Sequence, residues 1–141
     1  MKFVIVAVGK IRDAPVRAVA DDYLGRIRRY VACEEREAKS DDQLERLVPE
    51  GALRVALEVH GEELSSPELA RRVEDWSRRG KGVVAFLIGG AEGIPAAVSA
   101  AADHRLSLSK LTLPHRLARA ILAEQLYRSM TILRGEPYAR E

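Results

Sequence analysis

The segment Val83–Ile88 most constrains what this chain can fold into. Its six residues, Val-Val-Ala-Phe-Leu-Ile, are the most apolar run in the sequence, and they stop at Gly89–Gly90. An apolar run of this length, rich in β-branched side chains and closed by glycines, predicts a strand buried on both faces, as in the centre of a parallel sheet. The flanking sequence supplies the rest of such a sheet. Phe3–Val8 reads as a strand ending at Gly9. Residues 14–30 read as a helix with Val16, Val19, Tyr23 and Ile27 on one face. Residues 31–37 suit an edge strand and 41–48 a short acidic helix. Leu53–Val59 reads as a strand that ends at Gly61. Ser66–Pro67 opens a helix that runs to about Arg79 and stops at Gly80, with proline at the first helical position. A helix over 94–102, a strand over 105–109 and a long helix from Pro114 to Leu133 complete the series. Strand–helix alternation of this kind predicts an α/β fold, a mainly parallel sheet flanked by helices, in a single domain over 1–141. Ligands of such sheets bind beyond the carboxyl ends of the strands. Three of these ends stand out: Leu57–Gly61, Ile88–Gly93 and Leu108–Leu113.

Composition narrows the function classes. The 141 residues can bury a core without disulfides or metals, and Cys33 is the only cysteine. That suits a reducing, cytoplasmic setting. Phe3–Val8 is too short for a signal sequence, and no stretch approaches the roughly 20 apolar residues of a membrane span. His60, His104 and His115 lie far apart without ligand spacing, so no metal site is expected. A net charge of +2 says little about nucleic acid, but its distribution says more. Residues 34–50 hold seven acids against three bases, whereas 104–141 hold seven bases against three acids. Most of the latter bases are arginines, whose planar fork suits phosphate. Arg116, Arg119, Arg128 and Arg134 are the candidate phosphate contacts. On charge alone, two solvated faces of opposite sign explain the pattern equally well.

Four segments bear on chemistry. Ile88-Gly89-Gly90-Ala91-Glu92-Gly93 follows the central strand, where absent Cβ atoms let backbone approach a ligand. It carries neither a phosphate-binding loop nor a dinucleotide fingerprint, and a plain tight turn also accounts for it. Leu106–Pro114 continues as a leucine-lined loop able to hold a flat base by its faces and edge, although ordinary core packing fits the same pattern. The helix after Pro114 is apolar around its circumference, as expected of a buried or subunit-interface helix, with Glu124 and Arg128 spaced to pair. The tail Gly135–Glu141 offers Pro137, Tyr138 and Arg140.

Taken in order, these segments identify a family. Phe86-Leu87-Ile88-Gly89-Gly90-Ala91-Glu92-Gly93, Leu106-Ser107-Leu108-Ser109, Leu111-Thr112-Leu113-Pro114-His115, Glu124-Gln125-Leu126-Tyr127-Arg128 and Pro137-Tyr138, with Val6-Ala7-Val8-Gly9-Lys10 at the start, resemble the ribosomal RNA large subunit methyltransferase H family of the SPOUT superfamily over the whole chain. The resemblance implies a SPOUT fold with a C-terminal trefoil knot in about 83–141 and a homodimer whose sites draw on both chains. It implies S-adenosyl-L-methionine as methyl donor, and as acceptor N3 of a pseudouridine in helix 69 of 23S rRNA within the 70S ribosome. The cofactor-binding candidates are then Leu57, Gly89, Gly90, Glu92, Gly93, Leu108, Ser109, Lys110, Leu111, Thr112 and Leu113. The catalytic candidates are Tyr138 for positioning the base, Arg140 for stabilising its anion and His115 as a base. The resemblance makes Arg116, Arg119, Arg128 and Arg134 candidate contacts to RNA. One position departs from the family. Members commonly end in Tyr-His-Arg/Lys, and Ala139 stands here in place of the histidine. A ribosome-binding factor of the same fold with lost or altered catalysis is the alternative that this departure raises.

Overall fold

A computed structural model describes residues 1–140, and the side chains of residues 1–139. Five strands form one sheet: β1 (Lys2–Val8), β2 (Ala32–Ala38), β3 (Leu53–Glu63), β4 (Val83–Ile88) and β5 (His104–Ser107). Their order across the sheet is β2-β1-β4-β3-β5, and every neighbouring pair is parallel. The run that opened the sequence reading is thus the middle strand, with Val84 to Ile88 all buried. Alternation along β1 splits the interior into two halves. Phe3 and Ile5 face a core shared with α1 (Ala14–Ile27), α2 (Ser66–Arg79) and α4 (His115–Leu133). Val4 and Val6 face a smaller core closed by Leu44, Val48 and by Val98 of α3 (Ala96–Ala101).

Several boundaries differ from the sequence reading, each for a local reason. Helix α1 ends at Ile27, where Tyr30 N donates to Ile27 O in a tight turn and Arg28 Nε donates to Cys33 O. Its buried face is Ala20, Leu24 and Ile27; Val19 is on the outside, 49% exposed. This face packs towards α4, with Ala20, Ala120 and Ile11 in one small apolar cluster between the helices. Segment 41–48 forms two 3-10 turns, Asp41–Gln43 and Glu45–Leu47, in place of one helix. The cap of α2 is Ser65, which completes a reciprocal capping box with Glu68.

Strand β3 does not stop at Gly61. Leu57 pairs with Leu106, four residues then leave the ladder, and Glu62 pairs with Leu106 again. A Cβ at Gly61 would sit 2.7 Å from Leu106 backbone, so only glycine lets the strand return this closely. β5 is correspondingly short. Beyond it Ser107 Oγ donates to Ser109 O and Leu111 N donates to Ser109 Oγ, bonds that turn the chain out of the sheet. The chain then passes from the β5 edge back over the sheet to begin α4, which packs against both α1 and α2.

Candidate functional site

The three carboxyl ends singled out from sequence converge on one cleft of about 730 Å3. A volume of this size suits a small organic ligand. Leu57 and the excursion Glu58–His60 supply one side. The loop Gly89–Ile94 forms the floor, and Leu108, Ser109 and Leu111–Pro114 the opposite wall. His115 and Ala118 reach it from the first turn of α4. Leu111 is 74% exposed, a large apolar side chain left open at the cleft wall. Such a surface suits the face of a flat ring, while backbone groups of the 108–114 loop remain for its polar edge.

The floor owes its shape to glycine. A Cβ on Gly89 would lie 2.1 Å from Gly93 O and 2.7 Å from Ile94 N. The loop folds back on its own first residue, with Gly93 N donating to Gly90 O at 3.0 Å and Gly93 at φ +83°. Gly89 is therefore required by the loop itself before any ligand enters. Lys110, within the Leu108–Leu113 run, does not line the cleft: its ammonium is 82% exposed and 3.5 Å from Glu63.

His115 lines the cleft from the first turn of α4. Burial and the adjacent Arg119 cation hold its imidazole below the ordinary histidine range, opposed by Glu37. It is therefore neutral at pH 7, and its Nε2 is buried without a hydrogen-bond partner among the described residues. Tyr138 lies elsewhere. Its hydroxyl donates to Glu124 Oε2 at 2.8 Å, and its ring packs edge-on to Tyr127 at 4.6 Å, under the Arg128 guanidinium. Burial, the Tyr23 hydroxyl and the Glu124 carboxylate all push its phenol upward, so it is protonated at neutral pH. Tyr127 is about 18 Å along α4 from His115 at ~1.5 Å per residue, so one chain does not bring Tyr138 to its own cleft. The Arg140 side chain lies outside the described residues.

A family profile described as "Predicted SPOUT methyltransferase" matches residues 1–139. The chain is 60% identical, over 99% of its length and 99% of the relative's, to ribosomal RNA large subunit methyltransferase H of Sorangium cellulosum. The chain belongs to the ribosomal RNA large subunit methyltransferase H family of SPOUT methyltransferases. It is likewise 43% identical to the same-named protein of Anaeromyxobacter dehalogenans, over 98% of this chain and 99% of that one. The match to the protein of that name from Roseobacter denitrificans is 41%, over 99% of both chains. Among solved structures, a probable methylase family protein from Haemophilus influenzae Rd KW20 superposes with a TM-score of 0.61 at 11% identity, covering 97% of this chain and 69% of that one. That likeness concerns the fold alone.

In this SPOUT chain the four candidate RNA arginines do not behave alike. Arg116 is about half exposed at the start of α4, 3.7 Å from Asp13. Arg134 is exposed beyond its end, over the Tyr30 ring. Arg128 pairs with Glu124 at 2.9 Å, as its spacing predicts. Arg119 is a correction. It is 1% exposed and donates to Gly9 O, Glu35 and Glu37, so its guanidinium is committed inside the protein and does not face an external phosphate. The acids at 35 and 37, read from sequence as part of a solvated acidic face, are its counterions. Sequence reasoning also missed the excursion Glu58–His60. Its signal was Gly61 directly after a strand, read there as an end and not as an irregularity. Among the described residues no cluster of three or more His, Cys, Asp or Glu could hold a metal ion, and no helix is long and apolar enough to cross a membrane.

Proposed function

We propose that the chain transfers a methyl group from S-adenosyl-L-methionine to N3 of a pseudouridine in helix 69 of 23S rRNA, in the cytoplasm, on the assembled 70S ribosome. The cleft built from three strand ends carries this reading, because the residues proposed for the donor from sequence, Lys110 apart, line one cavity. Leu57, Leu108, Leu111 and Leu113 would hold the adenosyl portion between apolar walls. The Gly89–Gly93 loop would meet its polar parts with backbone. The relatives' shared name, ribosomal RNA large subunit methyltransferase H, supports rRNA as substrate. The knotted threading proposed for about 83–141 is consistent with the all-parallel order β2-β1-β4-β3-β5 and rests on the family.

When bound, the donor supplies an electrophilic methyl sulfonium, so no enzyme nucleophile is required. The protein's tasks are to align the acceptor nitrogen, exclude water and favour loss of the imide proton. The neutral His115 imidazole in the cleft wall can hold a proton. Tyr138, held protonated, is suited to hydrogen bonding or stacking with the base and not to proton abstraction. A cation at Arg140, near the carbonyls flanking the imide nitrogen, would stabilise the anion. Because Tyr138 docks far from its own cleft, the site is a composite of two chains in a homodimer. Ala139 favours a second reading, a ribosome-binding factor of this fold with weakened or lost catalysis.

The deciding experiment is methyl transfer from labelled donor to 70S ribosomes lacking the modification, followed by nucleoside analysis. Label in N3-methylpseudouridine is expected. Donor and ribosome binding without transfer would establish the factor, and no donor binding would remove the methyltransferase reading.

A further inference from the structure

Arg119 is the largest charged side chain that the fold buries completely. Its Nη1 donates to Gly9 O at 2.9 Å, and its Nη2 to Glu35 Oε2 and Glu37 Oε2 at 2.7 Å each. The two acids stand two residues apart on the edge strand β2 and so project to one side. Arg17 of α1 braces the same pair, 2.8 Å from Glu35 and 3.8 Å from Glu37. Burying a guanidinium and its counterions is expensive, and an apolar side chain of similar volume often serves stability as well or better. A planar fork with three acceptors, two on β2 and one just beyond the end of β1, gives geometric definition that an apolar residue would not.

The definition falls where the cleft needs it. Arg119 lies one helical turn after His115, in the same start of α4 that places His115 and Ala118 in the cleft wall. The helix begins at Pro114 without a side-chain cap. Within the wall loop from Leu108 to Leu113 the described hydrogen bonds are Ser107–Ser109 and Leu111–Ser109, with Leu108 packed on the core and Lys110 3.5 Å from Glu63. The Leu111–Pro114 part of the wall leads directly into the start of α4 and takes its position from there.

We propose that Arg119 is a positioning residue for the donor cleft: by clamping the first turns of α4 to Gly9, Glu35 and Glu37, it sets His115 and the Leu108–Pro114 wall at the distance the donor requires. The inference rests on the reading of this cleft as the donor site. Arg119 also contributes to the electrostatics, since its cation helps keep His115 neutral against the opposing carboxylate of Glu37.

The test compares wild type with Arg119→Lys, Arg119→Met and the double variant Glu35→Gln/Glu37→Gln. Folding is followed by circular dichroism, and S-adenosylhomocysteine binding by calorimetry. The donor KM is measured separately from kcat and from the ribosome KM. Folded variants are expected to lose donor affinity by about tenfold or more, the equivalent of ~1.4 kcal/mol of binding. The donor KM should rise while the ribosome KM stays put, with Arg119→Lys retaining more affinity than Arg119→Met. The His115 imidazole, followed by NMR, should titrate higher in Arg119→Met than in wild type. Should Arg119→Met fail to fold, the double glutamine variant, which keeps Arg119, carries the same comparison. Folded variants with unchanged donor affinity and donor KM overturn the proposal. If wild type itself binds no S-adenosylhomocysteine, the donor reading fails. Leu111 and Leu113 methyl resonances then decide the clamp: shifts in Arg119→Lys support it, and unchanged resonances refute it.

Discussion

Replacing Gly89 with alanine tests the cleft floor at its tightest point. The new Cβ would stand 2.1 Å from Gly93 O, whereas ordinary contact begins near 3.4 Å, so the opposing backbone must yield by about 1 Å. The obstacle is backbone, tied down by the Gly93–Gly90 hydrogen bond, and it has no flexible side-chain end to swing away. Overpacking of this kind costs about 1–3 kcal/mol. For a chain of this size that lowers Tm by roughly 4 °C per kcal/mol. A loop displaced by about 1 Å should also weaken donor binding. The assay is thermal denaturation paired with calorimetric titration of S-adenosylhomocysteine. Gly90→Ala is the control, because its Cβ meets Val8 Cγ1 at an unstrained 3.5 Å and should cost less than about 0.5 kcal/mol. If the two variants melt alike and bind the donor alike, close contact at Gly89 does not shape the site.

Further outcomes follow from the tail and from His115. Truncation after Gly135 should leave the fold and donor affinity largely intact in calorimetry, with a modest loss of Tm from the lost Tyr138–Tyr127 and Tyr30–Glu136 contacts. The same truncation should lower methyl transfer below detection, since each lost polar contribution is worth about 10²–10³ in rate. Ala139→His should raise kcat in single-turnover assays; an unchanged rate would show that the family histidine has no role in this chain. The depressed His115 pKa makes the unfolded state bind more protons near neutrality. Its contribution to stability is therefore complete above the ordinary value of ~6.5 and declines as pH falls toward the folded-state pKa. Chemical denaturation of wild type against His115→Gln across this window should show a steeper acid-side loss in wild type. Parallel curves would mean that the imidazole is not perturbed.

The parts of the structure legible in sequence were those set by local pattern. The apolar Val83–Ile88 run, the glycines after it and the leucine–serine alternation at 106–109 defined the central strand and two walls of the cleft. Periodicity could not settle which residues a helix buries when a partner helix decides the rotation. Val19 faces outward, while Ala20 is buried in a small cluster with Ala120 of α4 and Ile11. The role of Arg119 was equally hidden. Its partners, Glu35 and Glu37, lie some eighty residues away on an edge strand. In the sequence, a basic C-terminal half and an acidic stretch looked like two solvated faces. Folding sets parts of them against each other as a buried ion cluster. The β3 excursion was invisible for a related reason: its shape is imposed by β5, which must pair with Leu57 and again with Glu62.

The separation of Tyr138 from the cleft leads to the last prediction. Helix α4 is rigid, and Leu133 is about 27 Å from His115 along its axis. The residues from Arg134 to Tyr138 span at most about 17 Å when fully extended. Even undocked and turned straight back along the helix from Leu133, the Tyr138 backbone stays roughly 10 Å short of its own His115, and a reversal as late as Gly135 leaves it further away. If Tyr138 takes part in the reaction, it must act at the cleft of a second chain. Light scattering at micromolar concentration should then give the mass of a dimer. Mixing two inactive chains should also restore activity. One is truncated after Gly135 and keeps its cleft; the other carries Gly89→Val and keeps its tail. With free exchange, half of the dimers are mixed and each has one complete site, so about a quarter of the wild-type rate should return. A mixture that exchanges subunits, binds the donor through the truncated chain and still transfers no methyl group would show that the tail does not act across the interface, and the assignment of Tyr138 would fall with it.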